Sequence, residues 1–164
     1  MRKLLLVRHA KSSWDVSVPK DFDRSLNDRG NRDAPEMAKR ILKRDVEIDA
    51  LISSPAKRAF STAVYFAEAY GIKEKQIIKV PSLYEAGVEQ FYDTIKDLDN
   101  DLKTVVLCSH NPGITDFVNL LTGTHIDNMP TCGIFAVKAP IKKWKDFREA
   151  EKEFWFFDYP KLHL

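Results

Sequence analysis

Four side chains in this sequence have the chemistry to handle a phosphoryl group: Arg8, His9, Arg58 and His110. An arginine fork offers paired donors to phosphate oxygens and keeps its charge at any ordinary pH. An imidazole with one bare nitrogen can attack phosphorus, while a second imidazole can donate to the phosphoryl oxygens. An unperturbed imidazole titrates near pH ~6.5, so one ring can be neutral and the other charged at neutral pH when their surroundings differ. Together the set suits phosphoryl transfer through a phosphohistidine.

Taken singly, each has a plainer reading. An Arg-His pair after an apolar run is ordinarily a solvated sheet edge, and a lone arginine early in a helix is ordinarily a surface residue. Position argues otherwise. Arg8 and His9 end the apolar run LLLV (4–7), Arg58 follows the strand-like DALIS (49–53) through SSPAK, and His110 ends TVVLCSH (104–110). In open α/β sheets, ligands sit outside the carboxyl ends of the strands. Three unrelated surface sites have no reason to share that address.

The elements that must hold these residues can be read from periodicity. Lys3 to Val7 is a candidate buried strand, and Ser12 to Asn27 is a polar loop without a period. Ala34, Met37, Ala38, Ile41 and Leu42 recur at helical spacing up to Arg44. Pro35 requires that this helix either restart with Asp33 as cap or bend. After DALIS, Ser54 and Pro55 read as cap and first helical residue of a helix that Gly71 closes. Ile77 to Val80 reads as a short strand, and Val88 to Leu98 as a third helix. TVVLC is the most strand-like stretch, and a fourth helix follows Asn111-Pro112-Gly113. Cys132 to Ala139 and Glu153 to Tyr159 read as two late strands, an antiparallel pair across the basic segment around Trp144. The pattern predicts one α/β domain over residues 1–164: a mainly parallel central sheet, helices on both faces and one antiparallel late strand.

Composition narrows the classes. The 164 residues carry 26 basic and 24 acidic side chains, a net charge of +2, with 44% hydrophobic residues. That is ordinary for a soluble domain and gives no concentrated basic face for nucleic acid or an anionic membrane. MRKLLLVRH has too few apolar residues for a signal sequence or a membrane span, so a cytoplasmic location is expected. Cys108 and Cys132 form no CxxC and fall in strand-like runs, which predicts two buried thiols.

Three blocks, RHA (8–10), SSPAKRAFST (53–62) and SHNPG (109–113), resemble in this order the histidine phosphatase superfamily, the phosphoglycerate-mutase-like fold. RHAKSSW (8–14), DRSLNDRGNRDAP (23–35) and the small size resemble its SixA-type branch, the phosphohistidine phosphatases. The resemblance is strong in these blocks and weaker after Gly123. It departs at Ser61, where the family commonly has glutamine, and at Ser25, where it often has proline. The resemblance implies a metal-independent reaction without cofactor, with His9 as the phosphorylated nucleophile. Arg8 and Arg58 would clamp the phosphate, and His110 would stabilise the transferring group.

A leaving alkoxide needs a proton. Many members of the superfamily draw it from a carboxylic acid after the second block. Glu85, in PSLYEAG (81–87), matches that region, the alternative being a solvated loop carboxylate. Asp15, Asp21 and Asp23 are weaker candidates that read as cap or turn residues. A phosphohistidine needs such an acid less, because its imidazole leaves readily once protonated. Lys11, Ser12 and Asn111 are candidate substrate contacts. His125 and His163 receive no role.

Short connections after the catalytic strands, apart from Ser12 to Asn27, predict an open crevice, able to admit a histidine displayed on another protein such as a phosphotransfer domain. A small phosphate ester is the alternative substrate. A metal hydrolase is disfavoured because no HExxH or paired cysteines accompany the histidines and two arginines would repel a cation. No P-loop motif occurs. A phospho-binding module without turnover is the rival from another class.

Overall fold

The computed structural model describes residues 1–163. Six strands, β1 (Arg2–Arg8), β2 (Ala50–Ser53), β3 (Ile78–Lys79), β4 (Thr104–Ser109), β5 (Ile134–Ala139) and β6 (Glu153–Asp158), form one sheet in the order β3-β2-β4-β1-β5-β6. The helices are α1 (Asp28–Lys43), α2 (Lys57–Tyr70), α3 (Val88–Lys96) and α4 (Gly113–Val118). β3, β2, β4 and β1 pair in parallel, while β5 runs against both β1 and β6. β5 is therefore the single antiparallel strand expected from the sequence.

Register explains why the chemistry collects at one rim. Arg8 lies opposite Ser109 and Ser53 opposite Cys108, so β1, β4 and β2 end almost level. Whatever follows each strand emerges beside the others.

Side chains alternate across β1, and each face has its own core. Leu5 and Val7 pack with Met37, Ile41 and Phe66 from α1 and α2. Leu4 and Leu6 face Phe91, Ile95, Ile114 and Phe117 from α3 and α4. The Phe91 and Phe117 rings stack at 4.9 Å. Each such ring, fully removed from water, contributes about 1.5–3 kcal/mol, so these two layers clamp the sheet from both sides.

The local reading needs correcting in several places. α1 does not restart at Asp33: it begins at Asp28, with the Asn27 side chain accepting from the Gly30 amide at 2.9 Å, and runs on through Pro35. The interior proline costs about 3 kcal/mol. Burial of Ala34, Met37, Ala38 and Ile41 outweighs it, and the Asn31 carbonyl that loses its partner lies on an exposed residue. α2 starts at Lys57, two residues later than the Ser-Pro signal suggests, because Ser54 is drawn into the sheet rim and its hydroxyl accepts from the Ala56 amide instead. The third strand keeps only Ile78 and Lys79. Cys132 precedes β5 in a turn, and β6 stops at Asp158. Both thiols are buried and free. Among the described residues no helix is long and apolar enough to cross a membrane.

Candidate active site

Past the end of β1 the backbone is held on both sides. The His9 amide donates to the Ser109 carbonyl at 3.1 Å, and the Cys132 amide donates to the Arg8 and His9 carbonyls at 3.0 and 3.1 Å. The next amide, Ala10, donates to the Thr62 hydroxyl at 2.9 Å, and that hydroxyl donates to the Arg58 carbonyl at 2.8 Å. Strand and helix are thus tied together at the residues of interest.

His9 is 7% exposed. Its Nδ1 lies 2.7 Å from the Ala10 carbonyl oxygen. A carbonyl can only accept, so Nδ1 carries the proton and Nε2 is left bare. Burial, opposed by that hydrogen bond and reinforced by the charges of His110, Arg58 and Arg8, lowers the pKa of His9 to about 3. The ring is a neutral base at physiological pH. His110 lies 5.2 Å away between ring centroids, and burial, then Arg58, lowers its pKa to about 4. Both rings are therefore pushed toward the neutral form, where the sequence allowed one of them to be charged. The arginines on the same rim are the reason that burial is not compensated.

Arg8 donates through Nη1 to the Met129 carbonyl at 2.8 Å, and its Nε is buried without a partner. Arg58 donates to the Asp21 carbonyl at 2.7 Å and to the Asp21 carboxylate at 3.0 Å. Arg8, His9, Lys11, Ser12, Arg58, His110 and Asn111 line one cavity of about 200 Å³. The structure thus gathers every proposed clamp, nucleophile and contact residue in one cavity, while the weaker acid candidates Asp15, Asp21 and Asp23 do not line it and Asp21 is engaged by Arg58. Glu85, the main candidate for the acid, also lies outside it. It is exposed, in a left-handed backbone conformation (φ 59°), and lines a neighbouring cavity of about 280 Å³ that shares His110 and Asn111. Both N–H bonds of the Asn111 amide are committed, to Asn128 at 2.8 Å and to the Met129 carbonyl at 3.2 Å. Its carbonyl oxygen accepts from Thr115 at 2.6 Å.

Sequence reasoning missed several residues here. Arg24, from the long loop, reaches the same cavity and donates to the Ser12 hydroxyl at 2.5 Å, the Ser13 carbonyl at 2.9 Å and Asp21 at 2.9 Å. Its guanidinium lies 3.6 Å from the centre of the Trp14 ring, which is 76% exposed at the rim. Tyr84 sets its ring edge against His110 and donates to Asp21 at 2.7 Å. Ser54 contacts the His110 ring at 2.7 Å. An arginine in an aperiodic loop looks like any solvated charge, and the one signal for these residues was that Arg24, Tyr84 and Ser54 fall inside the blocks DRSLNDRGNRDAP, PSLYEAG and SSPAKRAFST. Among the described residues no three His, Cys, Asp or Glu side chains meet in a metal-ligating group.

What this geometry can do is hold a tetrahedral oxyanion between arginine forks while a neutral imidazole nitrogen faces it. The chain matches the histidine phosphatase superfamily (branch 1) over residues 4–97, and it belongs to that superfamily. It is a phosphatase-type hydrolase. It is 30% identical over 168 residues to an uncharacterized protein of Mycobacterium leprae, covering 94% of this chain and all of that one. Over 85 residues it is 38% identical to phosphoserine phosphatase 1 of Hydrogenobacter thermophilus, covering 49% of this chain and 39% of the relative. The fold matches that of a protein histidine phosphatase SixA solved with tungstate: TM-score 0.82, 21% identity, 96% of this chain and 97% of that one.

Proposed function

We propose that this protein removes phosphate from a phosphohistidine displayed on another protein, by way of a phosphohistidine formed on His9. The observation that carries the reading is the 2.7 Å contact between His9 Nδ1 and the Ala10 carbonyl, which leaves Nε2 bare and neutral beside Arg8 and Arg58. The substrate phosphoimidazole enters protonated on its unsubstituted ring nitrogen; Nε2 attacks phosphorus, the P–N bond breaks, and the imidazole leaves neutral, keeping that proton. The Ala10 carbonyl keeps the remaining proton of His9 in place while the ring becomes substituted on its other side. A water molecule then attacks the phosphorus, the bond to His9 breaks, and inorganic phosphate leaves with the water's oxygen. Arg8 and Arg58 hold the charge on the equatorial oxygens throughout. His110 donates to the same group.

Two features support a macromolecular substrate. The cavity is small and its rim carries the exposed Trp14. The protein of like fold solved with tungstate acts, by its name, on protein histidine. A small phosphate ester is a second reading, favoured by the cavity that Glu85 shares with His110, from which a carboxylic acid could protonate an alkoxide. The phosphoserine phosphatase relative is in keeping with it.

Brief incubation with labelled phosphoramidate, followed by quenching, tests the central step. Label stable in alkali, lost in acid and absent from His9→Ala is the expected result. Turnover without any such adduct, or binding that persists in His9→Ala with no turnover in the native protein, overturns it.

A further inference from the structure

We propose that Ser54 sets the tautomer of His110, so that His110 meets the phosphoryl group as an uncharged Nδ1–H donor. This rests on the phosphatase reading above and specifies how one of its groups works.

Ser54 is fully buried and fixed by its own backbone. Its amide donates to the Cys108 carbonyl at 3.0 Å, and its carbonyl accepts from the Ser53 hydroxyl at 2.8 Å. Its hydroxyl oxygen accepts from the Ala56 amide at 3.2 Å and lies 2.7 Å from His110 Nε2. The other ring nitrogen, Nδ1, is buried without any partner. Nδ1 is therefore the ring nitrogen left without a partner, on a residue that lines the cavity.

Counting donors decides which nitrogen carries the proton. A serine hydroxyl has one hydrogen and two lone pairs, and Ala56 uses one of the lone pairs. If Nε2 were protonated, it would donate to the second lone pair. The serine hydrogen would then be left without an acceptor, and Nδ1 would be left as a bare acceptor. If Nε2 is bare, the serine hydrogen goes to it and only the Nδ1–H remains unpaired. The second arrangement orphans one buried group where the first orphans two, and each orphan is costly. The one group left over is a donor, and a phosphoryl oxygen is the acceptor it lacks.

A neutral donor also fits its charged neighbours. Arg8 and Arg58 already supply the positive charge, and Arg58 disfavours a further cation on His110. Tyr84 and His9 are uncharged neighbours of the ring, Asp21 is spent on Arg58, Arg24 and Tyr84, and Glu85 lies across the adjoining cavity. In this arrangement Ser54 touches no substrate. It is a positioning residue.

The test needs no variant to begin. Long-range ¹H–¹⁵N correlation of the imidazoles in the full chain at pH 7, assigned with His110→Asn, should show His110 protonated at Nδ1 alone, with and without inorganic phosphate. In Ser54→Ala the signal should move toward the other tautomer. There kcat on a phosphohistidine should fall about tenfold or more with KM little changed, and Ser54→Thr should restore both. An Nε2–H form or an imidazolium in the native protein overturns the inference. So does Ser54→Ala with tautomer and kcat unaltered. Loss of the phosphoenzyme reading would show instead as native protein that forms no adduct on His9, whatever the tautomer of His110.

Discussion

Arg58 and Asp21 hold one another through two contacts, Nη1 to the Asp21 carbonyl at 2.7 Å and Nη2 to its carboxylate at 3.0 Å. The pair joins the long first loop to the first turn of α2 and aims a buried guanidinium across the rim of the cavity. The same carboxylate accepts from Tyr84 and Arg24. Those bonds, Tyr84 first, hold Asp21 well below the usual carboxylate range, so it stays charged. A phosphate dianion entering here meets an arginine that is partly neutralised.

Asp21→Asn removes the charge and keeps one side-chain acceptor oxygen, which can still serve Arg58 and Tyr84, while the oxygen that accepts from Arg24 becomes an amide donor. Inorganic phosphate should then inhibit more tightly, with Ki lower by about threefold to tenfold, the scale of a partly solvated ion pair. Steady-state inhibition at fixed ionic strength reads this directly, and a weaker Ki would show that Asp21 acts by holding the loop and not by its charge.

Glu85 separates the two substrate readings. An alkoxide needs a proton from the protein and an imidazole needs it less, so Glu85→Gln should cut kcat/KM for alkyl phosphate esters about a hundredfold and for a phosphohistidine less than about threefold. Equal losses on both would remove Glu85 from the role of acid.

Acid should destabilise the fold through the two buried rings. The folded pKa values of His9 and His110, about 3 and about 4, lie below the ~6.5 of an unfolded imidazole, so the unfolded chain binds more protons as pH falls. Their stabilising contribution is complete above pH ~6.5 and is lost on the way down, by about 1–2 kcal/mol each between pH 6.5 and 5. Urea unfolding at several pH values should show this slope, roughly halved in His110→Asn. A slope unchanged by that substitution would place the titration elsewhere.

Backbone contact between α4 and the Glu85 turn can be tested with one methyl group. A Cβ on Gly113 would stand 1.9 Å from the Ala86 carbonyl oxygen, whereas a Cβ on Gly123 meets nothing within 4 Å. Gly113→Ala should cost about 1–3 kcal/mol and disturb turnover together with it, because His110 and Glu85 flank the contact. Gly123→Ala should be neutral or stabilise by up to about 1 kcal/mol. Thermal denaturation of the pair decides, and equal melting temperatures would mean that the turn yields freely.

The layers of the fold were legible because their cause is local. The LLLV run, TVVLC and the 3.6-residue spacing of Met37, Ile41, Phe66, Phe91 and Phe117 each state which side must be buried, and no distant residue is needed to read them. Arg8, His9, Arg58 and His110 could be chosen for the same reason, since each follows an element whose carboxyl end is a fixed address in such a sheet. The contacts of their neighbours were not legible. Asp21 read only as a weak acid candidate and Ser54 as a helix cap, while Arg24 and Tyr84 lie in loops, where a polar residue carries no mark of what it will touch. Arg58 and Asp21 are 37 residues apart, and Ser54 and His110 are 56. The cap signal at Ser54 was even misleading, because its hydroxyl meets both the His110 ring and the Ala56 amide ahead of a helix that starts only at Lys57. Sequence alone determined which groups could do the chemistry. Only chain topology, by setting the level ends of β1, β2 and β4 and folding the first loop over them, decided which nitrogen is bare, which is capped and which cation is shared.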